Sequence, residues 1–154
     1  MESVHAVNYL TWLLTLSGGV VLIGAVAALS SDAGSPFPGA YKLAWTAIAL
    51  EVFSLLVALY ALAVGPYRNW KQTVVALLAM VTAVLVPITN NVLQAKSDLP
   101  GSNDSDARAN AAAAGLIVVM AGNIVQILLA GMHGDGGASA ATAPQVFATG
   151  KDLV

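Results

Sequence analysis

One carboxyl group stands alone within the apolar stretches of this sequence. Glu51 is the single acidic or basic residue inside any of the four stretches defined below. It lies seven residues from one end of its stretch, which on a helix is roughly 10 Å into the hydrocarbon layer. Placing an ionisable group at such depth in the bilayer costs on the order of 2.5–3.5 kcal/mol of free energy, so its presence indicates a functional role. Glu51 therefore holds a proton, accepts hydrogen bonds, or faces water.

Amide and hydroxyl side chains are the groups that could act together with this carboxyl. Measured from the membrane face at which the depth of Glu51 was counted, Asn90 lies about 4 Å deep, Asn123 about 18 Å and Gln126 about 22 Å. Thr15 and Thr11 continue the series towards the opposite face. Polar groups at successive depths favour a lined pathway over a purely structural hydrogen bond. We predict that the pathway is lined or gated by Glu51, Ser54, Asn90, Asn123, Gln126, Thr15 and Thr11.

The remaining residues offer little for enzyme chemistry. The two histidines, His5 and His133, lie at opposite ends of the sequence, and there is no cysteine. This leaves no metal or haem pair within the apolar stretches and no arrangement of a nucleophile with a base. We expect no enzyme activity, no metal and no cofactor. The formal net charge of −2 also gives no electrostatic footprint for nucleic acid, so no nucleic-acid partner is expected.

The elements that position these groups follow from the composition. Of the 154 residues, 58% are apolar and 9% are charged, too few charges to cover a soluble surface. Each stretch is close to the roughly 20 residues that cross a bilayer as a helix. The predicted fold is an all-α integral membrane protein, an antiparallel four-helix transmembrane bundle over residues 1–133. Its spans lie near Val7–Leu29, Ala44–Val64, Thr73–Leu93 and Ala111–Met132, and a Gly/Ala-rich tail covers 134–154.

Small and polar residues recur every three or four positions in each span, which places them on one helix face. In lipid, such faces draw helices together by close packing and hydrogen bonds. We expect these faces to form a narrow, partly polar interior. The first span contributes Asn8, Thr11, Thr15, Gly18, Leu22 and Ala25, and the second Ala44, Ala47, Glu51, Ser54, Ala58, Ala61 and Gly65. The third contributes Ala76, Ala79, Ala83, Pro87, Asn90 and Gln94, and the fourth Ala112, Gly115, Val119, Asn123, Gln126, Ala130 and His133.

The connectors bear on orientation. Ser30–Leu43 and Gln94–Asn110 have the composition of polar loops, whereas Gly65–Gln72 is short and carries only basic charges. Because cytoplasmic loops are enriched in Lys and Arg, we expect both termini to lie in the cytoplasm. The interior offers no cation that would attract an anion, and a single acid is a weak basis for a cation channel. A small neutral solute such as water, ammonia or carbon dioxide fits best.

The four Ala- and Val-rich spans, with an acid in the second, resemble a known family. Together with the stretch PFPGAYKLAW and the turn RNWKQ, they are similar to the low-CO2-inducible plasma-membrane proteins of green algae. The likeness extends from Met1 to about His133. It implies a plasma-membrane protein for inorganic-carbon uptake that forms a homotrimer with a pathway in each subunit. It makes carbon dioxide the preferred solute.

Two other functions are compatible with the residues. A proton-coupled small-molecule transporter would use Glu51 as its membrane-embedded acid, although here the acid lies in the second span among Ala and Ser. A tetraspan scaffold would bind partners through its lipid-facing surfaces and its tail. The scaffold predicts a dry interior in which Asn123 and Gln126 are fully hydrogen-bonded to neighbouring helices.

Overall fold

The computed structural model describes residues 2–32, 39–64, 67–98 and 103–132, and all of them are helical. The helices are α1 (Glu2–Asp32), α2 (Gly39–Val64), α3 (Tyr67–Asp98) and α4 (Asn103–Met132). Each contains an apolar stretch of 24 to 27 residues, long enough to cross a bilayer. The described ranges contain no strand, which confirms the all-α, four-span prediction. The predicted tail at 134–154 lies outside the described residues.

The helices extend further than the predicted spans. Most of the predicted loop Gln94–Asn110 is helical, because α3 continues to Asp98 and α4 begins at Asn103. Polar residues do not stop a helix that leaves the hydrocarbon, since its turns remain hydrogen-bonded in water. The start of α4 also suits a helix N-terminus, because Asp106 lies in its first turn, where an acidic residue is favoured by the helix dipole.

The helices form a ring in chain order. α1 and α3 each pack against both α2 and α4, so that α2 and α4 lie diagonally across the bundle. The Tyr9 hydroxyl donates to the carbonyl of Leu62 at 3.1 Å, which places the start of α1 beside the end of α2. Tyr60 and Trp70 meet edge to face, with ring centroids 5.3 Å apart, where α2 turns into α3. Neighbouring helices are therefore antiparallel, as predicted.

The closest packing is between α1 and α4, and glycine makes it possible. A Cβ at Gly115 would lie 2.9 Å from the backbone nitrogen of Leu22 and 3.0 Å from the carbonyl oxygen of Gly18. A Cβ at Gly122 would collide with the side chain of Thr15. Small residues thus allow the two backbones to approach, as expected for helices that associate in lipid.

The predicted interior faces are correct for α1, α2 and α4 and wrong for α3. Every described member of the α1, α2 and α4 sets is buried, whereas Gly65 and His133 lie outside the described residues. The small residues of α3 instead face outward: Ala76, Ala79, Ala83, Pro87, Asn90 and Gln94 are all exposed. α3 packs through a second set at the same spacing, made of larger side chains: Val74, Leu78, Val81, Leu85 and Ile88.

Candidate functional site

The centre of the bundle is a hydrogen bond between two diagonal helices. The amide Nδ2 of Asn123 on α4 donates to the carboxyl Oε2 of Glu51 on α2 at 2.9 Å. Both side chains are buried, with 2% of Glu51 and none of Asn123 exposed. Glu51 lies halfway along α2, so the bond crosses the bundle near mid-depth. Because α2 and α4 pack against α1 and α3, this contact joins helices that are otherwise held apart.

This central pair leaves two buried oxygens without partners. Oε1 of Glu51 and Oδ1 of Asn123 have essentially no accessible surface and no hydrogen bond. Buried polar atoms in native proteins are nearly always paired, and an unpaired one costs about 1–3 kcal/mol. An unprotonated carboxylate oxygen and an amide oxygen are both acceptors. The centre therefore lacks a donor, which one proton on Glu51 or one small solute with an N–H or O–H group would supply.

A second cross-helix bond lies next to this pair. Nε2 of Gln126 on α4 donates to Oγ1 of Thr15 on α1 at 3.0 Å. The Thr15 hydroxyl itself donates to the carbonyl of Thr11 at 2.8 Å, and Thr11 donates in the same way to Val7 at 2.9 Å. Because both hydroxyl protons are donated within α1, the Thr15 oxygen acts towards Gln126 as an acceptor only.

The buried polar groups continue to the end of the bundle where α1 begins. The Ser54 hydroxyl, one turn beyond Glu51, donates to the carbonyl of Leu50 at 2.8 Å. Asn8 is 2% exposed, and its amide Nδ2 has no partner. We call this region, from the central pair to Asn8, the polar half of the bundle. This half also contains an apolar cluster formed by α2, α3 and α4, made of Ala58, Ala61, Tyr67, Val74, Leu78 and Ala130.

The other half of the interior is sealed by apolar side chains. One cluster, which we call the apolar half, fills it with Leu22, Val26, Ala44, Ala47, Ile48, Val81, Leu85, Ile88, Leu116 and Val119. Two buried hydroxyls accompany it, and each donates to its own helix: Ser30 to Val26 at 2.6 Å and Thr89 to Leu85 at 2.9 Å. Among the described residues, no buried amide or carboxyl lies in this half.

The structure brings six of the seven predicted lining residues to the buried interior. Glu51, Ser54, Thr11, Thr15, Asn123 and Gln126 are buried. The exception is Asn90, which is exposed on the outer face of α3. The predicted depths were also wrong, because Glu51 and Asn123 hydrogen-bond at one level rather than about 8 Å apart along the axis. The error arose from the predicted helix ends, since α2 begins at Gly39, five residues before the predicted span, which places Glu51 about 18 Å along its helix instead of about 10 Å.

Several contributing residues were not predicted for these roles. Trp12 lies outside the predicted interior face of α1, yet its indole nitrogen donates to the carbonyl of Leu55 at 2.9 Å and ties α1 to α2 beside the site. Asn8 was assigned to the interior face but not to the lining. The sequence could have indicated that Asn8 belongs to the lining, because this residue continues the spacing of Thr11 and Thr15. Gly122 gave no signal, since its importance depends on which residue of α1 faces it.

Comparison of the chain with protein-family models, with curated proteins and with solved structures finds no match. The geometry of the site itself indicates its chemistry. It combines a carboxyl at mid-depth, a diagonal amide partner and a one-sided set of polar groups.

Proposed function

We propose that the protein moves a small uncharged solute across a membrane, with the Glu51–Asn123 pair as the central constriction. The observation that carries the proposal is this hydrogen bond across the diagonal, with a free acceptor oxygen on each partner. A bond whose only role is to hold helices together does not require an acid. Glutamine or serine would serve at a lower cost of insertion into the bilayer.

The chemistry of the interior supports an uncharged solute. Among the described side chains, those that are buried and polar include no Lys, Arg or His. An anion would meet no attractive charge there, and the carboxyl would repel it if ionised. The two free acceptor oxygens favour water or ammonia, which carry an O–H or N–H donor. Carbon dioxide has no donor and is the first solute to test only on the resemblance of the sequence to proteins of inorganic-carbon uptake. A plasma-membrane location, cytoplasmic termini and a homotrimer with one pathway per subunit belong to the same proposal.

A proton-coupled transporter is the second candidate, and the two unpaired oxygens favour it. A proton on Oε1 of Glu51 would turn an acceptor into a donor in a place where a second acceptor, Oδ1 of Asn123, also lacks a partner. The pair could then alternate between a protonated and an unprotonated state. A structural scaffold fits less well, because it requires a fully bonded interior and Asn123 is only half satisfied.

The test is a flux assay with a matched pair of substitutions. The purified protein is placed in vesicles of low intrinsic carbon dioxide permeability, and carbon dioxide, water and proton fluxes are measured. Asn123→Leu should reduce the solute flux at least several-fold, whereas Asn90→Leu, the same change on the exposed face of α3, should leave it unchanged. Equal fluxes for the two variants, with both folded by circular dichroism, would refute the role of the central pair.

Glu51→Gln then separates the two candidates. Glutamine keeps an acceptor for Asn123 and adds a donor, but it cannot bind and release a proton near neutral pH. Passive movement of a neutral solute should persist in this variant. Proton-coupled exchange should be lost.

A further inference from the structure

Thr15 of α1 contacts two successive turns of α4. Its hydroxyl oxygen accepts the bond from Gln126 at 3.0 Å. A Cβ at Gly122, one turn before Gln126, would collide with this hydroxyl oxygen, and it would lie 3.0 Å from the Cβ of Thr15 and 3.3 Å from its methyl carbon. Thr15 and Gly122 are both buried. The backbone of α4 therefore lies directly against the Thr15 side chain.

Asn123 follows Gly122 in the chain and points in another direction. With 3.6 residues per turn, successive side chains are about 100° apart around a helix. Gly122 and Gln126 both contact Thr15, so they face α1. Asn123 faces across the bundle, where its amide donates to Glu51 at 2.9 Å. The contact on one side of α4 thus limits how far the amide on the other side reaches.

The central bond tolerates little displacement of α4. N–H···O bonds are longer than about 3.2 Å only when they are weak, so lengthening the bond from Asn123 to Glu51 by more than about 0.3 Å weakens it. Because α4 packs beside α1 and lies diagonal to α2, part of any movement away from α1 also lengthens the distance to α2. Rotation of the Thr15 side chain would not make room for a Cβ at Gly122, since the Cβ of Thr15 stays in place.

We propose that Gly122 is a positioning residue for the central pair, because its missing side chain allows α4 to lie close enough to α1 for Asn123 to reach Glu51. The inference rests on the proposed function and deepens it. It assigns the placement of the groups that form the constriction to a residue that carries no functional group of its own. Thr15 is the surface against which this placement is made.

The test follows the side-chain amide of Asn123 by NMR in the full chain in lipid nanodiscs. Gly122→Ala is compared with Gly131→Ala, a second glycine of α4, where a Cβ would meet no atom within 4 Å. Both changes bring the same gain in helix propensity. Gly122→Ala should move the bonded Nδ2 proton of Asn123 upfield, because its bond to Glu51 lengthens, whereas Gly131→Ala should leave it unchanged. A folded Gly122→Ala protein with an unchanged Asn123 resonance would overturn the inference.

A rescue variant tests whether the contact with Thr15 is the cause. Thr15→Gly removes all three of the nearest atoms that a Cβ at Gly122 would meet. The double variant Gly122→Ala with Thr15→Gly should therefore return the Asn123 resonance to its original position, although the bond from Gln126 is lost. It also decides the question if Gly122→Ala alone does not fold. A double variant that is unfolded, or whose Asn123 resonance remains displaced, would contradict a positioning role for Gly122.

Flux in the two single glycine variants keeps this inference distinguishable from the proposed function. Gly122→Ala should reduce the solute flux at least several-fold, and Gly131→Ala should retain it. An Asn123 resonance that moves as expected in a protein without any flux would retain the positioning role and remove the proposed function. Flux through the unaltered protein, with an Asn123 resonance that Gly122→Ala leaves in place, would retain the function and remove the positioning role.

Discussion

The two halves of the bundle interior solve the same packing problem with different chemistry. The apolar half closes with methyl and methylene groups, and its buried hydroxyls, Ser30 and Thr89, donate within their own helices. Ser30 also accepts a long bond of 3.3 Å from the indole nitrogen of Trp45 on α2. The polar half joins different helices by side-chain hydrogen bonds and leaves three polar atoms without partners. Since the apolar half packs with one long cross-helix bond and with no buried amide or carboxyl among the described residues, an amide or a carboxyl is not needed to hold four helices together. The cost of burying such groups supports a role in function.

The largest effect is expected where the apolar half is tightest. Gly115→Leu places a side chain against the backbone of Leu22 and Gly18, which cannot rotate away. The helices α1 and α4 must separate, at a cost of about 3 kcal/mol or more. We expect thermal unfolding in detergent to shift sharply downward or the folded protein to be lost. Gly24→Leu, in open space on α1, should unfold like the unaltered protein, and a similar loss in both variants would contradict this reason.

Breaking the central bond should have the next largest effect. Asn123→Leu removes the donor to Glu51 and leaves a buried carboxyl with no partner, which should cost about 1–3 kcal/mol or more in stability. Adding Glu51→Leu removes the unpaired group and turns this level into an extension of the apolar half. The double variant should recover most of the lost stability, because replacing both partners is close to neutral. A thermodynamic double-mutant cycle measures this recovery, and strictly additive losses would argue against the coupling.

Supplying the missing donor should stabilise the protein. Glu51→Gln replaces one acceptor oxygen by an NH2 group, which can satisfy Oδ1 of Asn123 and removes an ionisable group from the interior. We expect a gain of about 1–2 kcal/mol in the free energy of unfolding. Chemical denaturation in mixed micelles measures it. A loss of stability would indicate that the two free oxygens already have a partner, such as an ordered water.

The smallest expected effects come from two threonine substitutions, one in the polar half and one in the apolar half. Thr15→Val removes the acceptor of a cross-helix bond from Gln126, and the loss should be about 1 kcal/mol. Thr89→Val removes a bond to the same helix, to Leu85, and a weak contact with the Met120 sulfur at 3.9 Å. That variant should change stability by less than half as much. Equal effects in thermal unfolding would mean that the cross-helix bond contributes nothing beyond the local one.

The sequence predicted the number and type of helices well, because about 20 apolar residues in a row have one stable form in a bilayer. The inward faces of α1, α2 and α4 were also predictable, since each carries polar groups that lipid cannot solvate. For α3 this argument failed. Its two candidate faces, one with Ala79 and Ala83 and one with Leu78 and Leu85, are both acceptable to lipid tails. Only the fit against α2 and α4 decides between them.

The site was predictable by residue type but not by pairing. A single acid in an apolar span can be recognised from the sequence as a candidate site residue, and so can the amides Asn123 and Gln126. Which amide meets the acid depends on the vertical alignment of α2 and α4, and an error of a few residues in a helix end shifts that alignment by several ångström. The close contact at Gly122 could not be predicted either, because a glycine whose Cβ would collide with Thr15 and one such as Gly19, whose Cβ would meet no atom within 4 Å, look identical in sequence.

The central hydrogen bond also has a consequence for biogenesis. Its two partners are separated by 72 positions in the chain. At ordinary rates of translation, the ribosome needs about 4–14 s to add that many residues. During this interval the newly inserted hairpin of α1 and α2 carries a carboxyl in the bilayer without its amide partner. Chains that stop before α4 would keep this carboxyl without its amide partner, and we expect their α1–α2 hairpin to be less stable in the bilayer than the complete bundle.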